Sequence, residues 1–102
     1  MAMELSRTEA DGKYTIAVTG EIDLYSSPDL RSAITKAIPG ATGALHIDLS
    51  AVEYMDSSGV ATLVEGLRAC MERSLAFVLQ APSQPVLKVL QLSRLDTVFT
   101  IK

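Results

Sequence analysis

The amino-acid sequence predicts an α/β domain built on one mixed sheet, and three observations lead to this fold class. Segments with the two-residue period of strands alternate with segments of helical period along the 102 residues. The first two strand segments are instead separated by an Asp-Gly turn, which favours an antiparallel hairpin. Only three helical segments follow, so we expect a four- to five-stranded sheet with helices mainly on one face.

The opening hairpin combines a long strand with a shorter partner. Residues 13–22, KYTIAVTGEI, alternate in side-chain character, as is typical of a half-buried strand. Asp11-Gly12 stands just before them and is a common hairpin turn. Residues 3–8 are therefore predicted to form the antiparallel partner strand.

The first helix is predicted to begin at residues 26–29, Ser-Ser-Pro-Asp. They supply a hydroxyl cap, a proline at the first helical position and an acid in the first turn. The apolar stripe that follows at helical spacing consists of Leu30, Ala33, Ile34, Ala37 and Ile38. Pro39-Gly40 is expected to end this helix.

The middle of the chain is predicted to form a third strand and a second helix. Residues 44–49 alternate, which places His46 and Asp48 on the face opposite the large apolar side chains. Beyond residues 56–59, Asp-Ser-Ser-Gly, a second apolar stripe recurs at helical intervals and consists of Val60, Leu63, Val64, Leu67 and Met71. We therefore expect the second helix to begin at the two serines.

The C-terminal third is predicted to add a strand, a helix and a final extended segment. Residues 75–79 form an apolar run of strand length. Residues 82–85 begin and end with proline and mark a turn into a third helix over residues 86–92. β-Branched and aromatic residues alternate over residues 96–101, which indicates an edge strand or an extended tail.

Composition and charge limit the classes of function. The formal charge is −3 and the nine lysines and arginines are dispersed, so no nucleic-acid partner is expected. No run approaches the ~20 apolar residues that span a bilayer, and the first residues lack the apolar core of a signal peptide. We therefore expect one domain over residues 1–102, located in the cytoplasm and without direct membrane insertion.

Catalytic groups are sparse in the sequence. The single histidine, His46, has no cysteine near it, and no glycine-rich phosphate loop is present. No enzymatic activity, cofactor or metal is therefore expected. One enzymatic or nucleotide-binding alternative stays open, in which Asp23, Asp48 and Asp56 surround a cation.

Residues 45–60, LHIDLSAVEYMDSSGV, closely resemble the central motif of the STAS family, the anti-sigma-factor antagonists and their relatives. Residues 19–23, TGEID, and residues 89–101, VLQLSRLDTVFTI, are similar to further parts of the same family. Together these stretches span nearly the whole chain. The resemblance implies a STAS-like fold and an anti-sigma-factor antagonist that acts by binding other proteins.

The resemblance also implies which residue controls binding. In similar members of the family, the serine directly before the motif glycine is phosphorylated by an ATP-dependent anti-sigma kinase of the GHKL type. A serine phosphatase removes the phosphate. The matching residue here is Ser58, and Ser57 is a secondary candidate. The unphosphorylated chain is expected to bind the kinase, and phosphorylation is expected to release it.

The chemistry at the start of the second helix is compatible with this switch. Asp56 or Ser57 can cap the helix, which leaves the Ser58 hydroxyl exposed in the first turn. A phosphate there adds about −1.5 to −2 charge beside backbone N–H groups that tolerate an anion. Near Asp23 and Asp56, it would repel an acidic partner face. From residue chemistry alone, plain helix capping explains the two serines equally well.

Six residues in and beside this motif are expected at the partner interface. They are Asp23, Asp56, Ser57, Gly59, Val60 and Ala61. A rival function from the same family is a constitutive STAS subunit of a lipid-transport ABC complex, which docks this helix on a permease or an ATPase. That subgroup more often carries threonine or glycine at the positions that match Ser57 and Ser58. The double serine therefore favours the antagonist.

Overall fold

A computed structural model describes residues 3–102 as a five-stranded sheet with three helices. In chain order the elements are β1 Glu4–Ala10, β2 Lys13–Ile22, α1 Ser27–Ala37, β3 Ala44–Met55, α2 Ser57–Glu72, β4 Ala76–Gln80, α3 Gln84–Leu92 and β5 Thr100–Ile101. The strands are ordered in the sheet as in the chain, with β1 antiparallel to β2 and all other neighbours parallel. The predicted mixed sheet is confirmed. The predicted domain range also includes residues 1–2, which lie outside the described residues.

The hairpin between β1 and β2 turns at Asp11 and Gly12, whose φ angles are 54° and 78°. Glycine adopts this left-handed conformation at little steric cost, and aspartate tolerates it better than most residues do. Two successive positive φ angles match the twist of a tight antiparallel hairpin. The hairpin prediction is therefore confirmed, although β1 continues two residues past its predicted end.

The three helices lie against one face of the sheet. On that face Ile16, Ile47 and Leu79 stand in register across β2, β3 and β4 and are fully buried. Helix α2 packs between α1 and α3, and its backbone at Gly66 closely approaches Phe77 of β4. Because successive right-handed crossovers in a sheet of this order return on the same side, the helices share one layer. The prediction that helices cover mainly one face is confirmed.

Strand β3 runs to Met55, six residues beyond its predicted end. Its pairing with β2 shifts register at two places, which interrupts the alternation of side chains between the faces. The strand nevertheless continues to bury Val52 and Met55. This extension leaves only Asp56 between the end of β3 and the start of α2.

The last part of the chain contains less strand than predicted. The backbone N–H groups of Val98 and Phe99 donate to the carbonyl of Leu95, at 3.0 Å and 3.4 Å, and form a turn. Only Thr100–Ile101 pair with β4. The predicted β4 and α3 are confirmed, with bounds that differ by one or two residues.

Candidate functional site

The candidate site forms where β2 and β3 end side by side. Parallel strands end at the same edge of a sheet, a common place for functional residues. The backbone N–H of Asp56, just after β3, donates to the carbonyl of Ile22, the last residue of β2, at 3.1 Å. This bond places the loop that begins at Asp23 beside the start of α2. Asp23 and Asp56, expected on one surface, are therefore held in neighbouring segments.

Hydrogen bonds fix the loop at Asp23. Its carboxylate accepts from the backbone N–H groups of Tyr25 and Ser26, at 2.9 Å and 3.0 Å. The Ser26 hydroxyl donates to the carbonyl of Glu21 and accepts from the backbone N–H of Asp23, both at 2.9 Å. Ser26 is the N-cap residue of α1, but its hydroxyl makes no capping bond, so the predicted hydroxyl cap is not formed there. The hydrogen bond from the Ser26 amide lowers the pKa of Asp23, so the carboxylate is ionised at neutral pH.

Asp56 is the residue that caps α2. One of its carboxylate oxygens accepts from the backbone N–H of Ser58 at 2.9 Å and also from the Ser58 hydroxyl. Its main-chain carbonyl accepts from the N–H groups of Gly59 and Val60, at 3.1 Å and 3.3 Å. The sequence left open whether Asp56 or Ser57 provides the cap. Because Asp56 does so, neither serine is needed for it.

The residues that follow Asp56 differ in exposure. Ser57 and Ala61 are exposed, and Ser58 is half-buried. Gly59 and Val60, both expected at the partner interface, are buried, and the Val60 side chain packs into the core with 8% of its surface exposed. Direct contact with a partner is therefore open to Ser57, Ser58 and Ala61, while Gly59 and Val60 lie beneath them.

Three large apolar side chains near the site were missed by the sequence predictions. Leu24 and Tyr25, which follow Asp23, are 69% and 90% exposed. Tyr54 is 49% exposed and is paired with Glu21 where β2 and β3 end. Exposed aromatic side chains are frequent anchors of protein interfaces. The position of Leu24 and Tyr25 in a short connection between a strand and a helix is the signal that could have identified them.

Asp48, the third aspartate of the cation-binding alternative, forms hydrogen bonds within β3. Its carboxylate accepts from the backbone N–H and the hydroxyl of Ser50, at 3.0 Å and 2.7 Å. Within residues 3–102, no three side chains of histidine, cysteine, aspartate or glutamate are grouped so that they could hold a metal ion. Asp23, Asp48 and Asp56 therefore do not form such a group. In the same range, every helix is too short or too polar to cross a bilayer.

Comparison with known sequences gives a match over most of the chain. A family model described as "Mlab, STAS domain" matches residues 5–101. An anti-sigma-B factor antagonist of Listeria monocytogenes is 28% identical over 102 residues, which cover 100% of this chain and 89% of the relative. An anti-sigma-B factor antagonist of Staphylococcus aureus is 33% identical over 69 residues, or 68% of this chain. The chain spans 64% of the length of the Staphylococcus aureus relative, slightly less than two thirds.

Solved structures share the fold. An anti-sigma factor antagonist from Mycobacterium paratuberculosis aligns with a TM-score of 0.83 and 29% identity, covering 98% of this chain and 85% of that chain. The Bacillus cell fate determinant SpoIIAA aligns at 26% identity in two forms. Its unphosphorylated form gives a TM-score of 0.79, covering 99% of this chain and 88% of that chain, and its phosphorylated form gives 0.73, covering 99% and 91%. These relatives are named as anti-sigma-factor antagonists and not as subunits of lipid transporters.

Proposed function

Because the chain belongs to the STAS family, we propose that it is an anti-sigma-factor antagonist whose protein binding is controlled by phosphorylation of Ser58. The unphosphorylated chain binds an anti-sigma kinase of the GHKL type, and phosphorylation releases the kinase. A serine phosphatase restores the binding form. The position of Ser58 carries this proposal, because its hydroxyl lies in the first turn of α2 while Asp56 provides the helix cap.

The proposed modification is a phosphoryl transfer to the Ser58 oxygen. That oxygen attacks the γ-phosphorus of ATP, the bond between this phosphorus and the β,γ-bridging oxygen breaks, and ADP leaves. The hydroxyl proton passes to a base on the kinase. Ser58 lies outside the buried core, which supports access by the kinase. The phosphorylated form of SpoIIAA keeps the same overall fold, which supports a modification that leaves the fold intact and acts on binding.

The proposed docking surface combines charged, polar and apolar side chains around Ser58. It consists of Asp23, Leu24, Tyr25, Asp56, Ser57 and Ala61. A phosphate at its centre adds about −1.5 to −2 charge and replaces a neutral hydroxyl. Loss of a hydrogen-bonded or charged contact can cost an interface several kcal/mol, and ~1.4 kcal/mol already changes affinity tenfold. The modification is therefore large enough to switch binding.

Capture of binding partners from the native cell tests this proposal. Wild type, Ser58→Ala and Ser58→Asp serve as baits, and mass spectrometry identifies the captured proteins and any bound phosphate. Ser50→Asp is the matched control, because the Ser50 hydroxyl also bonds to an aspartate two residues earlier in the chain. We expect wild type, Ser58→Ala and Ser50→Asp to retain a GHKL-type kinase and Ser58→Asp to lose it.

Two results would contradict the proposal. Retention of the kinase by Ser58→Asp would show that charge at this position does not control binding. Retention of the same ABC-transporter subunits by every bait, without phosphate, would instead support the constitutive transport subunit. Tyr25→Ala tests the apolar part of the docking surface, and we expect it to weaken kinase binding about tenfold, since truncation of an aromatic anchor commonly costs more than 1 kcal/mol.

A further inference from the structure

Asp56 and Ser58 are joined by a hydrogen bond that phosphorylation must break. The Ser58 hydroxyl donates to the same Asp56 oxygen that accepts from the Ser58 backbone N–H at 2.9 Å. The hydroxyl hydrogen therefore points at the carboxylate. The ester oxygen of phosphoserine has no hydrogen to donate, and the phosphoryl group bound to it carries a charge of about −1.5 to −2. One Asp56 carboxylate oxygen therefore accepts both the bond from the unmodified Ser58 hydroxyl and the backbone bond that caps α2.

We infer that Asp56 converts phosphorylation of Ser58 into a change at the N-terminus of α2. This inference rests on the proposed function. The carboxylate positions the unmodified hydroxyl, and the phosphate displaces the carboxylate from its capping position. Two groups of like charge at hydrogen-bonding distance repel each other, and the hydrogen bond that held them together is lost on modification. Asp56 is therefore a positioning residue for Ser58.

The main chain around Asp56 limits how far the change spreads. Its N–H stays bonded to the carbonyl of Ile22, and its carbonyl stays bonded to the N–H groups of Gly59 and Val60. These bonds do not involve the Asp56 carboxylate or the Ser58 oxygen. The displacement is therefore confined to side chains and the first helical turn. After phosphorylation, a partner that binds this surface therefore loses its contacts with both the Ser58 hydroxyl and the ordered Asp56 carboxylate.

Asp48 and Ser50 provide a matched control inside the same chain. The Asp48 carboxylate accepts from the Ser50 backbone N–H and hydroxyl, the same two donors that Ser58 offers Asp56. This pair lies within β3 and not at a helix start. A phosphate on Ser50 therefore meets the same local repulsion without uncapping a helix.

The test compares the full chain with serine or genetically encoded phosphoserine at position 58, in the wild-type background and in Asp56→Asn. Asparagine caps helices as well as aspartate does, but it carries no charge. We expect phosphorylation to lower Tm by about 4 °C with Asp56, and by less than half of that shift in Asp56→Asn. Hydrogen exchange of the Ser58 amide should accelerate about tenfold, again only with Asp56. Phosphoserine at position 50 should leave exchange of this amide unchanged.

Equal Tm shifts in the two backgrounds would overturn the inference, and so would a more protected Ser58 amide in the phosphorylated wild-type chain. If Asp56→Asn does not fold, Asp56→Ser supplies another uncharged cap for the same comparison. No partner is present in these measurements. A failure here therefore leaves release of the kinase through Ser58 standing, and the capture experiment decides that question separately.

Discussion

Gly59→Ala should destabilise the protein, although alanine is the better helix former. A Cβ atom at position 59 would lie 2.5 Å from Cγ of Met55 and 2.8 Å from Cγ2 of Ile22. Carbon atoms that are not bonded do not approach each other this closely. Met55 and Ile22 are only 2% and 0% exposed, so neither side chain can turn into solvent. Either these side chains or the start of α2 must move.

The size of this effect follows from two opposing contributions. Replacing a helical glycine by alanine stabilises by about 1 kcal/mol. Overpacking a well-packed core costs about 1–3 kcal/mol, and the upper end applies because two different side chains are approached too closely. The free energy of unfolding should therefore fall by about 2 kcal/mol, which corresponds to roughly 8 °C in Tm for a domain of this size.

Thermal and urea unfolding followed by circular dichroism measure this change. Ala61→Gly is the matched control, because position 61 is exposed in the same helix and reports the propensity contribution alone, an expected loss of about 1 kcal/mol. A Gly59→Ala protein that is as stable as wild type, or more stable, would refute the packing argument. Because Ser58 precedes Gly59, a shifted helix start should also weaken the proposed binding of the kinase.

Three further changes test the described environment of single side chains. Burial lowers the pKa of His46 from its ordinary 6.5, and Lys13 and Lys102 lower it further. The unfolded chain therefore binds a proton at His46 more readily than the native chain does, so the free energy of unfolding should fall as pH drops below about 6.5. Urea titrations should show a smaller fall in His46→Gln, because glutamine does not titrate. Burial raises the pKa of the Cys70 thiol, so a thiol reagent should label Cys70 slowly in the native chain and rapidly in urea. Rapid labelling of the native chain would contradict the burial of this side chain. Ser58→Ala removes one side-chain hydrogen bond but leaves the helix cap, so the free energy of unfolding should fall by about 1 kcal/mol or less. A larger loss in urea titrations would show that the hydroxyl is structurally required.

Periodicity predicted the sheet and helices because burial of one face imposes it on the sequence. Strand β2 alternates over most of its length and was predicted with its observed bounds. The same reasoning ended β3 six residues early, since the register shifts that let it continue beside β2 depend on the partner strand. The turn at Leu95 was missed for a related reason. Residues 96–101 alternate in the sequence, but the backbone hydrogen bonds to the Leu95 carbonyl bend the chain, so that residues 96–99 do not form a strand.

Capping rules identified suitable residues at the site but could not decide which of them act as caps. Ser26 and Asp56 both precede a helix and both have side chains that favour the capping position. Only Asp56 caps its helix through its side chain, because the Ser26 hydroxyl is bonded to the carbonyl of Glu21. That bond depends on how the chain leaves β2, which the residue types alone do not specify.

The structure separates the roles that residues 56–59 share in the sequence. Asp56 caps α2, and Gly59 is required because a side chain there would overlap Ile22. Helix capping, which explained the serines equally well from residue chemistry, accounts for neither of them once Asp56 is the cap. The Ser58 hydroxyl donates to Asp56 and accepts no bond from the free N–H groups of the helix start. Alanine at position 58 would leave both the cap and the packing in place, so neither of these explains the serine, whereas the proposed phosphorylation requires its hydroxyl.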